Sequence, residues 1–319
     1  MNTKKDEKEF CRLPIKIVKK DGHKFNFDIY LKLGESKIVK MAHGGEDFRD
    51  VIERYEQKGL KEVLVVREHY NTYLATYKQN IQNMFFDPAT ITHEKVELLS
   101  DSHQIIKESL SGLGLTEEAI ELAKEVNTKC VQLVQEVPNI FKFLQDFKNN
   151  CSDEFMEGLM VSYTTSAMIN KFVWNSASIK EKLSMASMLC DITLSKDEIQ
   201  EMKKGMSDPA SLSEKVRRHP REIAELLGTE SNDFAKETLI VIEQHHERPN
   251  GQGFPGGISH QNINLLSAIY IVAYEFIILM FENNFDFSKR NVIISKLKKD
   301  FQKGNFKKAL DSLLQTIGM

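Results

Sequence analysis

His245-His246-Glu247-Arg248-Pro249-Asn250-Gly251-Gln252-Gly253-Phe254-Pro255-Gly256-Gly257 is the densest stretch of chemistry in this 319-residue chain. Two adjacent histidines end an amphipathic run in which Leu239, Ile242 and His246 recur at i, i+3 and i+7. A glycine-rich loop with one aromatic residue follows. Neighbouring residues on a helix project about 100° apart, so the two histidines can share one metal ion only where the helix end flanks a pocket. The glycines do not form a phosphate loop, because there is no GxxxxGKS and no preceding strand. HExxH and CxxC zinc spacings are also missing. On these residues alone, a solvated histidine pair beside a flexible loop is the plainer reading.

The flanking sequence predicts helices. Ile179, Leu183, Ala186 and Cys190 repeat at i, i+4, i+7 and i+11, and Phe306, Leu310, Leu313 and Ile317 form another stripe. The apolar run 265–281 contains Ser267 and Glu275, and a bilayer span needs about 20 apolar residues, so a buried core helix is expected and no membrane span. Residues 151–319 therefore read as a mainly all-α domain. Residues 12–90 read differently, as a small α+β domain. Strands are expected over 13–18 and 25–33, joined by a hairpin at Asp21-Gly22, and over 37–41 and 62–66. A helix over 47–57 places Phe48, Val51, Ile52 and Tyr55 on one face. The predicted order is β-β-β-α-β. Residues 91–150 read as a helical linker region, with Thr116 as a cap and Pro138 as a break. Residues 1–11 read as a solvated tail with no secretory apolar segment.

Composition bounds the function. The chain is 41% hydrophobic, with 43 basic against 46 acidic residues and a net charge of -3. This is a globular composition without the basic excess of a nucleic-acid polymer binder. Four widely spaced cysteines fit a reducing, cytoplasmic compartment and give no disulfide framework.

HHERPNGQGFPGGI resembles the signature loop HHExxDGxGYPxGL of the HD-GYP family, helical metal phosphohydrolases that hydrolyse cyclic di-GMP. Asn250 stands where the family has Asp, and Phe254 where it has Tyr. Met185 to Asp191, MASMLCD, resembles the helix that ends in the HD pair, with Cys190 at the His place. His219-Pro220 resembles the next landmark, a His-Pro at a helix start. Val272-Ala273-Tyr274 resembles the last, a VAD motif, with Tyr274 at the Asp place. The intervals are 28 residues from Asp191 to His219, 26 to His245, and 28 from His246 to Tyr274. The resemblance covers about 151–285. The N-terminal region resembles, more weakly, small domains that precede HD-GYP domains in some predatory bacteria.

In such a family two or three ions are held by His and carboxylate ligands. The resemblance implies that Asp191, His219, His245 and His246 keep one ion's ligand set, a competent site for Fe, Mn, Ni or Zn. The other ion's set is lost at Cys190 and Tyr274, and no histidine lies between Gln104 and His219. The alternative is drift, with no metal bound. Cys190 is open to two readings, a thiolate ligand or a small buried residue. Leu194 replaces a phosphate-contacting lysine, and Arg217, Arg218, Arg221 and Arg248 flank the retained ligands. Glu247, Asn250, Gly251, Gly253, Phe254, Pro255 and Gly257 form the expected ligand or partner loop, in which the Phe254 ring would stack on a base.

The resemblance implies a degenerate module of cyclic di-GMP signalling. It would bind the nucleotide or a GGDEF-type protein rather than hydrolyse. An active phosphodiesterase with an altered metal site is one alternative, and a purely structural scaffold is the other. A homodimer is a further expectation.

Overall fold

A computed structural model describes residues 9–20, 25–33, 37–87, 89–136, 153–206, 208–229 and 233–319. The chain divides into two compact units, one of residues 1–90 and 101–123 and the other of 91–100 and 124–319.

The first unit contains β1 (Phe10–Pro14), α1 (Ile15–Lys20), β2 (Ile29–Leu33), β3 (Lys37–Ala42), α2 (Arg49–Glu56), β4 (Glu62–Val66) and α3 (Arg67–Phe86). The sheet order is β1-β4-β2-β3, antiparallel throughout. Three expected strands and the helix form, but the first run does not behave as one strand. Pro14 cannot donate to a ladder and ends β1. The residues after it turn helical, burying Ile15, Ile17 and Val18 and placing Lys19 and Lys20 at the helix's negative end. The order is therefore β-α-β-β-α-β. β1 pairs with β4 instead of forming a hairpin with β2, and Asp21 and Gly22 lie outside the described residues. Of the expected tail, Phe10 and Cys11 belong to β1 and are buried.

Two long helices follow, α4 (Thr92–Leu113) and α5 (Glu117–Glu136). Thr116 caps α5, its Oγ1 accepting from the Ala119 amide at 3.2 Å. The segment read as a linker is shared out, 101–123 to the first unit and 91–100 and 124–136 to the second. Pro138 lies outside the described residues.

The second unit contains α6 (Asp153–Ile169), α7 (Ala177–Leu189), α8 (Lys196–Gly205), α9 (Glu214–Leu227), α10 (Lys236–Gln244), α11 (Leu265–Glu282), α12 (Arg290–Asp300) and α13 (Gly304–Thr316). α11 packs against α6, α10, α12 and α13. It is the one described helix long and apolar enough to cross a membrane, and 67% of it is buried inside the fold. Gly158 lets α6 approach α7 closely, because a Cβ there would meet the Ser187 carbonyl oxygen at 2.8 Å.

Capping residues fix where the helices start. Ser176, Ser213 and Asn264 accept backbone N–H groups at the heads of α7, α9 and α11. Ser195 and Glu198 form a reciprocal capping box on α8. The Lys215 ammonium beside Glu198 (2.6 Å), with the Ser195 amide, holds its carboxyl down at about 2. That depression stabilises the fold above the ordinary carboxylate range and is lost as pH falls. Glu198→Ala is expected to cost about 0.5–1 kcal/mol at pH 7, discounted for solvent exposure. In urea unfolding the difference from the parent should fade between pH 4.5 and about 2.

Candidate metal centre

Four side chains from separate parts of the second unit converge. Asp191 follows the C-terminal end of α7, His219 lies within α9, and His245 and His246 follow α10. One ligand atom from each falls within 4.8 Å of the others. The Asp191 Oδ1 atom lies 3.1 Å from His219 Nε2, 3.5 Å from His245 Nε2 and 3.8 Å from His246 Nε2. All three histidines are 1% exposed, so the solvated-pair reading of the sequence does not hold.

The local backbone aims two of these rings. His219 was expected at a helix start, but α9 begins at Glu214, so His219-Pro220 sits in the helix interior. Pro220 has no N–H to give the Val216 carbonyl four residues back. That carbonyl instead faces His219 Nδ1 at 2.6 Å. At the end of α10 the Ile242 carbonyl, one of the terminal acceptors a helix leaves over, faces His245 Nδ1 at 2.6 Å. Each ring therefore donates from Nδ1–H and turns an Nε2 lone pair inward.

Lone pairs facing a carboxylate oxygen at 3.1–3.8 Å repel unless a cation lies among them. Asp191 Oδ1, the three Nε2 atoms and His246 Nδ1 are all buried without a hydrogen-bond partner. Unsatisfied buried polar atoms cost about 1–3 kcal/mol each, and a group of them at one point could hold a metal ion. The ionisation states agree with this. Burial, then His245, hold His246 well below the ordinary imidazole value. A carboxylate with neutral imidazoles is the metal-binding form, and the donor set suits a divalent transition metal.

Pro220→Ala tests the orienting role. The new N–H would compete for the Val216 carbonyl and loosen His219. Metal affinity is expected to fall about tenfold, as for other residues that orient ligands, with the fold retained. Isothermal titration of the metal-free protein would measure it.

The positions of the lost set are filled with neutral groups. Cys190 is buried with its Sγ 3.2 Å from the Tyr270 hydroxyl and 3.6 Å from Asp191 Oδ2. Burial pushes its thiol well above the ordinary value, in keeping with the small buried residue of the two readings. Tyr270 and Tyr274 are likewise pushed up by burial and stay protonated. In α6, Glu157 pairs with Lys203.

The loop divides into supports and surface. Glu247 is buried, and its carboxylate accepts from the Gly256 amide at 2.7 Å and the Ile258 amide at 3.0 Å. It braces the loop and is not presented to a ligand. Phe254 is also buried, stacked on His246 with centroids 4.6 Å apart, so it does not offer its ring to a base. It shares an apolar cluster with Leu194, Ile199, Met202, Leu212 and Val216. Two of the departures from the HD-GYP motif, Leu194 and Phe254, therefore meet in one packed core. Gly253 is required by close approach, since a Cβ there would lie 2.4 Å from the Arg248 nitrogen. Gly251 and Gly257 have φ of 76° and 60°, and Pro255 follows a cis bond. Asn250 is exposed, its Oδ1 accepting from the Gln252 amide at 3.0 Å. The flanking arginines are taken up by helix ion pairs: Arg218 with Glu214 and Glu222, Arg221 with Glu243, and Arg248 with Glu275. Arg217 is exposed.

A family model described as "HD domain" matches residues 117–286, more than half of the chain. The chain belongs to the HD domain family. Among solved structures it is similar to "Bd1817, a HDG"Y"P protein from Bdellovibrio bacteriovorus". The identity is 17% over 97% of this chain and 100% of that one, with a TM-score of 0.60. None of the curated proteins matches.

Proposed function

We propose that this chain is a degenerate HD-GYP module of cyclic di-GMP signalling that holds one divalent metal ion and binds without hydrolysing. The observation that carries this reading is the asymmetry of the site. One ligand set keeps four converging, unpartnered donor atoms, at Asp191, His219, His245 and His246. The other set has become Cys190 and Tyr274, both neutral and buried.

An ion held by the retained set would supply Lewis acidity toward a phosphate oxygen. Two-metal hydrolysis shares transition-state charge between ions, and a thiol and a phenol held protonated bring no charge for a second. Leu194 in the apolar cluster adds to this, since the family's phosphate-contacting lysine is replaced there by core. Cys190, Tyr270 and Tyr274 act instead as packing that keeps Asp191 in place.

Isothermal titration with cyclic di-GMP and chromatography of the products, with Mn(II) or Fe(II) supplied, test the reading together. Binding with no linear or mononucleotide product is expected. Hydrolysis that disappears in His245→Ala would overturn it in favour of an active phosphodiesterase.

A further inference from the structure

Tyr270 belongs to no motif in the sequence, yet it lies directly against the metal centre. It is carried by α11 and is 1% exposed. Its ring meets the His245 ring edge-on with centroids 6.2 Å apart, and lies nearly parallel to the Tyr274 ring at 6.4 Å. A buried tyrosine needs a hydrogen-bond partner for its hydroxyl. Among the described residues that partner is Cys190 Sγ, at 3.2 Å. Cys190 Sγ in turn lies 3.6 Å from Asp191 Oδ2 and 4.0 Å from the Ser187 carbonyl oxygen. No other group among the described residues hydrogen-bonds Asp191 Oδ2.

The number of protons fixes the direction of these bonds. Asp191 as a carboxylate offers only acceptor oxygens, and Cys190 has a single S–H. Between the two, the thiol is therefore the donor, since a thiolate 3.6 Å from a carboxylate would face a like charge. With that proton on Asp191, Cys190 meets Tyr270 only as an acceptor, and the phenol O–H donates to Sγ. The carboxylate is thus divided. Oδ2 accepts from Cys190, while Oδ1 faces the Nε2 atoms of His219, His245 and His246. The terminal torsion of an Asp side chain is broad, so an anchor on one oxygen decides where the other points.

We propose that Tyr270 and Cys190 are positioning residues for the ion, joined in a hydrogen-bond chain from the Tyr270 hydroxyl through the Cys190 thiol to Asp191 Oδ2 that turns Oδ1 toward the three imidazoles. This role rests on the one-ion reading above and gives the residue at a lost ligand place a use other than filling space. The full chain, freed of metal by chelator, is titrated with Co(II), whose visible bands report the arrangement of the ligands. Cys190→Ala breaks the chain and is expected to weaken Co(II) binding about tenfold and to shift the bands. That is the low end for residues that orient ligands, because S–H is a weak donor. Tyr270→Phe keeps the ring, removes the first donor and should act in the same direction. The double variant should be no weaker than Cys190→Ala, since the two residues act in series. Cys190→Ser keeps a group that both donates and accepts, and should keep parental affinity and bands. Cys190→Val, close in volume to cysteine, serves if Cys190→Ala melts early.

Packing alone predicts lower melting temperatures with unchanged Co(II) affinity and spectrum, and that result would overturn the chain. Equal losses in Cys190→Ser and Cys190→Ala would overturn it as well. So would an intense near-ultraviolet charge-transfer band in the parent that is lost in Cys190→Ala, because it would place a Cys190 thiolate on the ion. The failures separate. A parent that takes up no Co(II) defeats the one-ion reading and this role with it. A parent that takes it up, with the same affinity in Cys190→Ala and Tyr270→Phe, defeats this role alone.

Discussion

Protein purified anaerobically is expected to carry about one transition-metal ion per chain, and His245→Ala to carry almost none. The expectation follows from atoms that have no other use. His219 and His245 give their Nδ1 protons to the Val216 and Ile242 carbonyls, so their Nε2 lone pairs cannot be satisfied by Asp191, which offers only acceptor oxygens. His246 is buried with neither ring nitrogen partnered. A fold that concentrates such groups within 4.8 Å pays for them with a cation. Asp191→Asn is the matching test without loss of volume, and it removes the charge that makes the site an ion site. Both variants should lose metal by elemental analysis. Chelator should destabilise the parent by about 2.7 kcal/mol or more where metal had been present at a hundredfold its dissociation constant. It should leave the variants unchanged. A parent that is metal-free after anaerobic purification and takes up no Mn, Fe, Ni or Zn on titration would leave the drift reading.

Gly253→Ala should be about as damaging, for a different reason. A Cβ at residue 253 would meet the Arg248 nitrogen at 2.4 Å, the Glu247 Cα at 2.5 Å and the His246 carbonyl at 2.5 Å. All three are backbone atoms of the segment that carries a metal ligand, so no side chain can swing aside. The Phe254 amide bonds the same His246 carbonyl at 3.1 Å, which ties the loop to that ligand. The loop would have to lift, taking Phe254 off His246 and out of its cluster. Withdrawal of a buried aromatic residue costs about 3–5 kcal/mol. Denaturant unfolding should show a loss of that order, and metal titration a weakened site. A Gly253→Ala protein of parental stability and metal affinity would show that the loop does not brace His246.

Much of the metal centre was legible in the chain. The four candidate ligands stand at intervals of 28, 26 and 1 residues, and it was their match to the HD-GYP landmarks that grouped them. The helical second half was legible from periodicity, and so was the buried character of 265–281, from its length and its two polar interruptions. The β1–α1 segment was misread because LPIKIV carries apolar residues that suit either period. Which one formed depended on Pro14 and on pairing with β4, far along the chain.

The site's interior was not legible. Leu194 and Phe254 meet across 60 residues of sequence, and Cys190 and Tyr270 across 80, so Cys190, Leu194 and Phe254 each looked like an isolated loss. Glu247 and Phe254 sit in a polar, glycine-rich stretch, which suggested a surface. Their burial comes from the loop folding back on its own amides.

Local periodicity thus marked the helical second half, and resemblance to the HD-GYP motif implied its ligand set and the loss of half that set. These are properties of single residues and of local periodicity, which a chain carries before it folds. Folding settled which nitrogen of His219 and of His245 faces inward, that Cys190 is buried beside Tyr270, and that the loop's aromatic residue packs on His246. Those outcomes depend on burial and on which carbonyls are left without an N–H partner, and both arise only when distant segments share one interior.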